Sequence, residues 1–286
     1  MRKGTTPMHL RILVACHNRR TLTTRVVRTA LHAAEVSNVP AIIYLLDDGS
    51  SDGTSDAVRE IAPTARIVHG DGTYFWAKSM SDIERVALSE ASAEDLIVWL
   101  NDDVKVDADA FVRALPFVRA NGLQSVIVCG TREPATGSVS YAGFNRHGLH
   151  PLSLRVIEPL PNSPVPIDTF NGNFVIVPEI VARSVGGIDG EFSHALADID
   201  YGFRCHAAGV DVYLAPGTFG ECPRNPPSPP TSVLREWRQF TGVKGGGNFA
   251  SSRRILRKRN PLTWSAFLGA TYALWWLRLL TRGRRS

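Results

Sequence analysis

Three groups of acidic residues could carry chemistry, because each stands where an apolar run ends or a helix is predicted to begin. They are Asp47-Asp48, at the start of Asp47-Asp48-Gly49-Ser50-Ser51-Asp52-Gly53-Thr54, then Asn101-Asp102-Asp103, and then Asp198-Ile199-Asp200. Carboxylates at the carboxyl ends of adjacent parallel strands converge on one crevice. Two such groups could hold a nucleotide and a metal ion, and a third could supply a base. The pattern therefore suggests one complete active site.

The first group has two interpretations. An acid beside exposed backbone N–H groups can accept hydrogen bonds from a base or a ribose. Asp, Gly and Ser also favour turns without any ligand, and the turn is the stronger interpretation when the motif is taken alone. The sequence contains neither a GxGxxG motif nor a Walker A motif, so the common phosphate-binding loops are missing.

The second and third groups are also open to a functional and a structural interpretation. Adjacent carboxylates at Asp102 and Asp103 repel unless a positive charge lies beside them, and Mg²⁺ or Mn²⁺ bound with substrate phosphates would supply it. A solvated loop whose acids cap the next helix is about equally favoured. Asp198 could cap its helix, or it could be an ionised general base aimed at the site.

The elements that position these acids alternate between strand and helix. Apolar runs predict strands, and helical spacing predicts the helices between them. The strands are 10–16, 41–46, 65–69, 95–100, 124–129, 173–177 and 210–214, and the helices are 21–35, 54–61, 78–89, 108–120, 178–185 and 198–208. Alternation of this kind predicts an α/β fold with a Rossmann-like, mostly parallel central sheet flanked by crossover helices. Residues 131–170 break the pattern and predict hairpins or loops added to the sheet.

Composition and charge exclude several classes of protein. The 286 residues are 44% hydrophobic and 21% charged, which is typical of a globular protein. From Thr231 onward there are twelve Lys/Arg and one acid, so the net charge of +5 belongs to the C-terminal end and the preceding body is acidic. No nucleic-acid motif occurs, and we expect no nucleic-acid partner. Four dispersed cysteines without a CxxC motif indicate a reducing, cytoplasmic compartment, and residues 1–7 lack the apolar core of a signal peptide.

The order of the motifs resembles that of the family-2 glycosyltransferases with the GT-A fold. A strand ending in DDGSSDGT precedes a strand ending in NDDV, and Gly186-Gly187-Ile188-Asp189-Gly190-Glu191-Phe192 precedes Ala197-Asp198-Ile199-Asp200-Tyr201-Gly202-Phe203-Arg204. The resemblance covers roughly residues 10–220. It extends to Gly70-Asp71-Gly72-Thr73-Tyr74-Phe75-Trp76, which is similar to the donor-site loop of rhamnosyltransferase-like members.

Carried over by position, the resemblance implies a role for each candidate residue. The nucleotide-sugar would be bound by Cys16, Asn18, Arg19, Asp47, Asp48, Trp76, Lys78 and Asp102, the metal by Asp103 with Asp102 and by Glu221, and the acceptor side would be formed by Asn171, Asn173 and Asp200, with Asp198 as the base. Asn101 stands where the first acid of the family's DxD motif often stands. Glu221-Cys222 stands where many relatives have a metal-binding His. Trp76 is equally consistent with sugar stacking and with core packing, and for Arg204 a salt bridge is favoured.

The sequence divides into a catalytic domain over residues 8–221, a Pro-rich linker over 222–232 and a basic, amphipathic helical tail over 233–286. The catalytic domain comprises a nucleotide-sugar half, about 8–130, and an acceptor half, about 131–221. The apolar segment 262–280 could nearly span a bilayer. Its Trp and Arg residues favour docking on a membrane surface. Packing on the catalytic domain, or on a second copy of the chain in a homodimer, is the alternative.

Together these observations predict an inverting, metal-dependent glycosyltransferase that uses a nucleotide-diphospho-sugar and Mg²⁺ or Mn²⁺. The resemblance implies dTDP-rhamnose as the donor and a glycan or polyprenyl-linked acceptor for a cell-envelope polysaccharide, at the inner face of the plasma membrane. The alternatives are a sugar nucleotidyltransferase and a non-catalytic nucleotide-sugar-binding protein. The first would normally show a Gly-rich loop after the first strand, which Cys16-His17-Asn18-Arg19-Arg20 does not provide.

Overall fold

The computed structural model describes residues 7–120, 122–224 and 232–282. The predicted linker therefore lies largely outside the described residues, as do residues 1–6. The strands, in chain order, are β1 (Leu10–Cys16), β2 (Ala41–Asp47), β3 (Arg66–His69), β4 (Leu96–Asn101), β5 (Lys105–Val106), β6 (Ser125–Val128), β7 (Thr131–Arg132), β8 (Val139–Tyr141), β9 (Gly143–Arg146), β10 (Leu154–Ile157), β11 (Val165–Pro166), β12 (Thr169–Phe170), β13 (Phe174–Pro178), β14 (Asp211–Leu214) and β15 (Gly220–Glu221). The helices are α1 (Arg20–Val36), α2 (Thr54–Ile61), α3 (Phe75–Ser89), α4 (Ala110–Ala120), α5 (Glu179–Val185), α6 (Ala197–Ala207), α7 (Val233–Thr241), α8 (Phe249–Arg259) and α9 (Trp264–Arg282).

A mixed eight-stranded sheet forms the centre of the molecule, in the order β11-β14-β6-β13-β4-β1-β2-β3. The α/β architecture with a mostly parallel central sheet is confirmed. Strands β4, β1, β2 and β3 are parallel to one another, but β13 runs antiparallel to both β4 and β6. The reason is that the chain reaches β13 through hairpin strands within 131–170 and not through a crossover helix, so it enters the sheet from the opposite end.

Strand register brings the polar strand ends to one edge. Cys16 at the end of β1 pairs with Asp47 at the end of β2. Ala15 pairs with Asn101 at the end of β4. Since β13 is antiparallel, its beginning lies at the same edge, with Phe174 paired to Leu100. This edge is where the acidic groups of β2 and β4 meet, as expected for the carboxyl ends of parallel strands.

Apolar side chains cover both faces of the sheet. One face packs on α1 and α4. The other packs on α3, α5 and α6, and here Trp99 is fully buried with its ring centroid 4.8 Å from that of Tyr201. Strands that are buried on both faces appear in the sequence as continuous apolar runs. For this reason the apolar runs predicted the positions of these strands well.

The tail forms α7, α8 and α9. Ile255 and Leu256 of α8 are fully buried and belong to the same apolar cluster as Trp99. Helix α7 packs against α9 through rings, with the centroids of Trp237 and Trp275 4.9 Å apart. Among the residues that the structure describes, no helix has the length and apolar character needed to cross a bilayer.

Candidate active site

A cavity of about 700 Å³ opens at the sheet edge where the acidic strand ends meet. Its wall comes from the ends of β1 and β4, the approach to β13, the start of α6 and the tail. The lining residues named by the sequence prediction are Cys16, Arg19, Asp48, Trp76, Asp102, Asp103, Asn171, Asn173 and Asp198. The fold therefore brings members of all three acidic groups into the lining of one cavity.

Asp102 and Asp103 follow β4 and face Arg19, which lies at the start of α1. Arg19 Nη1 is 2.6 Å from Asp102 Oδ1 and 3.7 Å from Asp103 Oδ2. Burial raises the pKa of Asp102 to about 6, with Arg19 opposing the shift and Asp103 adding to it. Arg19 thus neutralises part of the repulsion between the two carboxylates, chiefly at Asp102.

Asp103 has longer polar contacts than Asp102 and is the less engaged of the two carboxylates. Its Oδ1 accepts a long hydrogen bond of 3.4 Å from the thiol of Cys222, and burial keeps the pKa of that thiol well above its usual range. No group of three or more His, Cys, Asp or Glu side chains suited to a metal occurs within residues 7–120, 122–224 and 232–282. Mg²⁺ or Mn²⁺ is commonly held by one or two carboxylates together with substrate phosphates. Asp103 and Asp102 fit that kind of site, in which the substrate completes the coordination.

Asp198 lies half-buried in the cavity wall at the start of α6. Its Oδ2 accepts a hydrogen bond of 3.0 Å from the Gly172 N–H, and its Oδ1 accepts one of 2.8 Å from the Ile199 N–H. Burial raises the pKa of the carboxyl, and these two donors oppose that shift. Gly172 is required here, since a Cβ would lie 2.7 Å from the Trp76 ring. The two N–H groups thus orient the carboxylate, while burial makes it more basic.

Asp48 and Asp47 have structural partners. Asp48 Oδ1 accepts from the Gly72 N–H at 2.8 Å, and its Oδ2 accepts from the Tyr74 N–H at 3.0 Å. These bonds fix the 70–75 loop and satisfy N–H groups at the start of α3, which explains why α3 begins at Phe75 and not at the predicted residue 78. Asp47 bonds to the Ser50 N–H and the Ser55 hydroxyl, and it does not line the cavity.

Trp76 and Asn18 also make contacts that shape the site. Trp76 Nε1 donates to Asn101 Oδ1 at 2.8 Å, so the asparagine in the NDD motif holds an indole at the cavity wall. Asn18 Oδ1 accepts from the Ser51 N–H at 2.8 Å and ties the loop after β1 to the loop after β2, although Asn18 itself is not part of the lining.

Three further predicted site residues, besides Asp47 and Asn18, lie outside the cavity. Glu221 pairs with Lys105 at 3.1 Å and with Arg132 at 3.2 Å. Neighbours along an extended chain point to opposite sides, so Cys222, and not Glu221, faces Asp103.

Asp200 and Lys78 are also turned away from the cavity. Asp200 is two positions from Asp198, and such pairs do not share a helix face. It pairs with Arg204 at 2.8 Å, which is the salt bridge favoured for that arginine. Lys78 pairs with Asp82 at 3.1 Å on the exposed side of α3.

Several lining residues carried no clear signal in the sequence. They are Phe75, His194 and Lys244. Phe75 and Leu196 adopt positive φ angles of 53° and 78°, a conformation that costs free energy for bulky side chains and clusters at functional sites. The motif Gly70 to Trp76, which includes Phe75, was predicted to form a donor-site loop, although it gave no role to Phe75 itself. Lys244 belongs to the tail, and only the tertiary structure brings it here.

The structure is similar to solved glycosyltransferases with the GT-A fold. TarS of S. aureus matches with 12% identity and a TM-score of 0.54, over 76% of this chain and 37% of that one. The mannosyltransferase PcManGT of Pyrobaculum calidifontis, solved with GDP-Man and Mn²⁺, matches with 16% identity and a TM-score of 0.53, over 98% and 81%. GalNAc-T7, solved with UDP, GalNAc and Mn²⁺, matches with 9% identity and a TM-score of 0.53, over 90% and 52%.

These likenesses show the fold. The chain spans little more than a third of the TarS chain. No curated protein matches the sequence. A family model described as glycosyltransferase like family 2 matches residues 7–258, which is most of the 286 residues. The protein therefore belongs to the family-2-like glycosyltransferases.

Proposed function

We propose that this protein is an inverting glycosyltransferase that moves a sugar from a nucleotide-diphospho-sugar to an acceptor hydroxyl. The observation that carries the proposal is the placement of Asp198 and the Asp102-Asp103 pair in the lining of one cavity of about 700 Å³. A cavity of that size lies within the range usual for small-molecule sites. Family membership supports glycosyl transfer as the reaction class.

In the proposed mechanism Asp198 is the general base. Its carboxylate accepts the proton of the acceptor hydroxyl as that oxygen forms a bond to the anomeric carbon. The bond between that carbon and the diphosphate oxygen breaks, and the nucleoside diphosphate leaves with the electron pair. A base aligned by the Gly172 and Ile199 N–H groups needs little reorganisation in the transition state.

The leaving diphosphate must be stabilised as an anion. Asp103, together with Asp102, would hold Mg²⁺ or Mn²⁺, and the metal would neutralise negative charge on the diphosphate. Glu221 is not part of this proposed site because its carboxylate is paired with Lys105 and Arg132. Arg19 keeps the two carboxylates together.

We propose dTDP-rhamnose as the donor, since the loop Gly70 to Trp76 resembles that of rhamnosyltransferase-like proteins and Asp48 fixes it at the cavity. Proteins with a similar fold have been solved with GDP-Man and with UDP-GlcNAc, so these two nucleotide-sugars are the alternative donors to compare with dTDP-rhamnose. We propose a glycan or polyprenyl-linked acceptor of cell-envelope polysaccharide synthesis. The basic tail supports a position at the inner face of the plasma membrane.

A donor panel tests this proposal and its metal requirement. Thermal shifts of the full chain would be measured with dTDP-rhamnose, UDP-GlcNAc and GDP-Man, each with Mn²⁺, with Mg²⁺ and with EDTA. We expect one donor to raise the Tm by several degrees only when metal is present, because bound ligand stabilises the folded state. Each donor without protein and each metal alone provide the controls.

Two activity assays separate the alternatives: donor hydrolysis on the same samples, and incubation of the protein with a sugar phosphate and a nucleoside triphosphate. Slow release of nucleoside diphosphate without acceptor is expected of a transferase. Tight binding without any release would favour the non-catalytic nucleotide-sugar-binding protein. Formation of nucleotide-sugar from a sugar phosphate and a nucleoside triphosphate would favour the nucleotidyltransferase. If no donor shifts the Tm under any condition, the proposed function fails.

A further inference from the structure

A glycine-rich loop of the tail forms part of the cavity wall. The loop Gly242-Val243-Lys244-Gly245-Gly246-Gly247 joins α7 to α8, and Lys244 lines the cavity beside residues of the sheet edge. Ser193, which precedes the base-bearing helix α6, holds the loop: its hydroxyl donates to the Val243 carbonyl at 3.0 Å. The cavity therefore includes a segment outside the predicted catalytic domain.

The loop has a defined shape because two of its glycines are closely packed. A Cβ at Gly245 would lie 2.0 Å from the Phe240 carbonyl oxygen, and a Cβ at Gly247 would lie 2.3 Å from the Phe240 ring. The Gly247 N–H donates to the Phe240 carbonyl at 3.0 Å. Contacts this short exclude side chains at both positions, so the backbone that carries Lys244 is held against α7.

Lys244 differs from Arg19, the other lysine or arginine of the lining. Arg19 is engaged by Asp102 and Asp103. Within the described ranges, no carboxylate forms an ion pair with Lys244. His194 also lines the cavity, and its burial, together with the charge of Lys244, lowers the pKa of its imidazole. Lys244 is thus not engaged by a carboxylate in the described chain, and it lines the same cavity as His194.

The charges of the lining favour a further cation beside a bound diphosphate. Asp48, Asp102, Asp103 and Asp198 contribute four carboxylates, whereas Arg19 and Lys244 contribute two permanent cations. An acidic cavity repels an anionic ligand unless positive groups are placed where its charge lies. A lysine ammonium is a common partner for phosphate oxygens, with hydrogen bonds strengthened by charge.

We propose that Lys244 binds a phosphate group of a ligand in this cavity. The phosphate has two chemical sources, the diphosphate of a donor nucleotide and the phosphate of a lipid-linked acceptor. This inference rests on the proposed function, since it assigns a residue of the tail to the same site. It makes the segment joining α7 and α8 a part of substrate binding.

Binding measurements on the full chain test the proposal. Titration calorimetry would compare wild type, Lys244→Gln and Lys244→Arg, with Arg238→Gln as a control that removes one cation from α7 outside the lining. The probes are UDP, GDP and dTDP with Mg²⁺, the three corresponding nucleosides, and geranyl phosphate. We expect Lys244→Gln to weaken binding of the preferred nucleoside diphosphate by roughly tenfold or more. Its nucleoside should bind as before, Lys244→Arg should retain most of the affinity, and Arg238→Gln should match wild type.

The possible outcomes distinguish the donor diphosphate from the acceptor phosphate as the ligand of Lys244. They also distinguish failure of the Lys244 inference from failure of the proposed function. A loss confined to geranyl phosphate would place the acceptor phosphate at Lys244. Equal affinities of wild type and Lys244→Gln for every phosphate probe would overturn the inference while leaving the proposed function intact. Failure of wild type to bind any nucleoside diphosphate would instead remove the proposed function. Equal Tm values for wild type and Lys244→Gln would show that a loss of affinity does not arise from misfolding.

Discussion

Residues of the same type perform different tasks in this site because their surroundings differ. Asp48 accepts three backbone hydrogen bonds and organises the 70–75 loop. Asp102 is paired with Arg19. Asp103 has only a weak thiol donor and a longer ion pair. Asp198 is aligned by two N–H groups and has no cationic partner within ion-pair distance in the described chain. An aligned carboxylate without a cationic partner suits proton abstraction, whereas Asp103 suits a metal.

The role of Asp198 gives a prediction in two parts. Asp198→Asn should retain donor binding but lower kcat by about 10³-fold, since the amide cannot accept the proton. In wild type the base must be ionised, and burial raises its pKa. The rate should therefore fall as the pH drops through a pKa above the ordinary value of a solvated Asp. A pH profile of transfer checks the second part, and donor titration checks the first. Wild-type turnover by Asp198→Asn would exclude this base.

At the scale of elements, α8 stabilises the segment that leads to the base. Arg254 Nε is 2.7 Å from Asp189 Oδ2, and Lys258 bridges Asp189 and Asp200 at 2.5 and 2.8 Å. We call these four residues the α8 clamp. Asp189 lies in the GGIDGEF segment and Asp200 lies on α6, so the clamp joins both to the tail. From α3, Glu84 accepts the Ile188 N–H at 2.6 Å and supports the same segment.

The clamp predicts a stability effect that a neighbouring cation does not share. Lys258→Met should lower the free energy of unfolding by about 1–2 kcal/mol, because Asp200 is buried and would lose one of its two cations. The loss should be smaller than for a fully buried pair, since the Lys258 side chain is 34% exposed. Arg257→Met removes an exposed cation of α8 and should change stability by less than about 0.5 kcal/mol. Urea unfolding checks both variants, and equal losses would contradict the clamp.

Ionisation of Asp189 links the clamp to acid stability. Burial works to raise the pKa of Asp189, but Arg254 and Lys258 hold it at about 2. A carboxyl with a lowered pKa in the folded state stabilises the fold above its unfolded pKa, and that contribution is lost as the pH falls toward 2. The clamp should therefore remain intact across the neutral range in which a transferase works.

At the scale of the whole molecule, the tail is both part of the fold and a candidate membrane contact. Ile255 and Leu256 of α8 are fully buried. Other apolar side chains of the tail are exposed, among them Leu234 of α7 and Leu274 and Leu277 of α9. Together with the excess of Lys/Arg after Thr231, these residues suit binding at the surface of an anionic bilayer. The loop of Lys244 would bring such a surface contact close to the cavity.

The proposed membrane contact is tested by substitution, since removing residues 253–286 would also remove buried core. Leu274→Ser combined with Leu277→Ser should weaken partition onto phosphatidylglycerol-containing vesicles by roughly tenfold, as two exposed apolar side chains no longer enter the interface. Val112→Ser with Ile180→Ser changes two exposed apolar residues of α4 and α5 and should not alter partition. Vesicle sedimentation measures all three proteins. If both pairs bind as wild type does, the tail does not dock through these leucines.

The sequence by itself determined the main strands and helices of the central sheet, to within a few residues, and the order of the acidic groups. These features depend on local periodicity and on apolar runs, which a single chain displays directly. It also indicated that Asp48, Asp102 and Asp103 would lie near one another, since strand ends in an α/β sheet share an edge. The placement of Asp198 beside them was implied by the family resemblance.

Only the tertiary structure decided which side chains enter the cavity. Cys222 faces Asp103 whereas Glu221 pairs on the other side, and Asp198 lines the wall whereas Asp200 meets Lys258. One residue along a strand, or two along a helix, changes the direction of a side chain, and sequence spacing alone does not fix which direction is inward. The antiparallel direction of β13 and the position of Lys244 in the cavity lining depend on contacts between distant segments. Such contacts form only when the chain is folded.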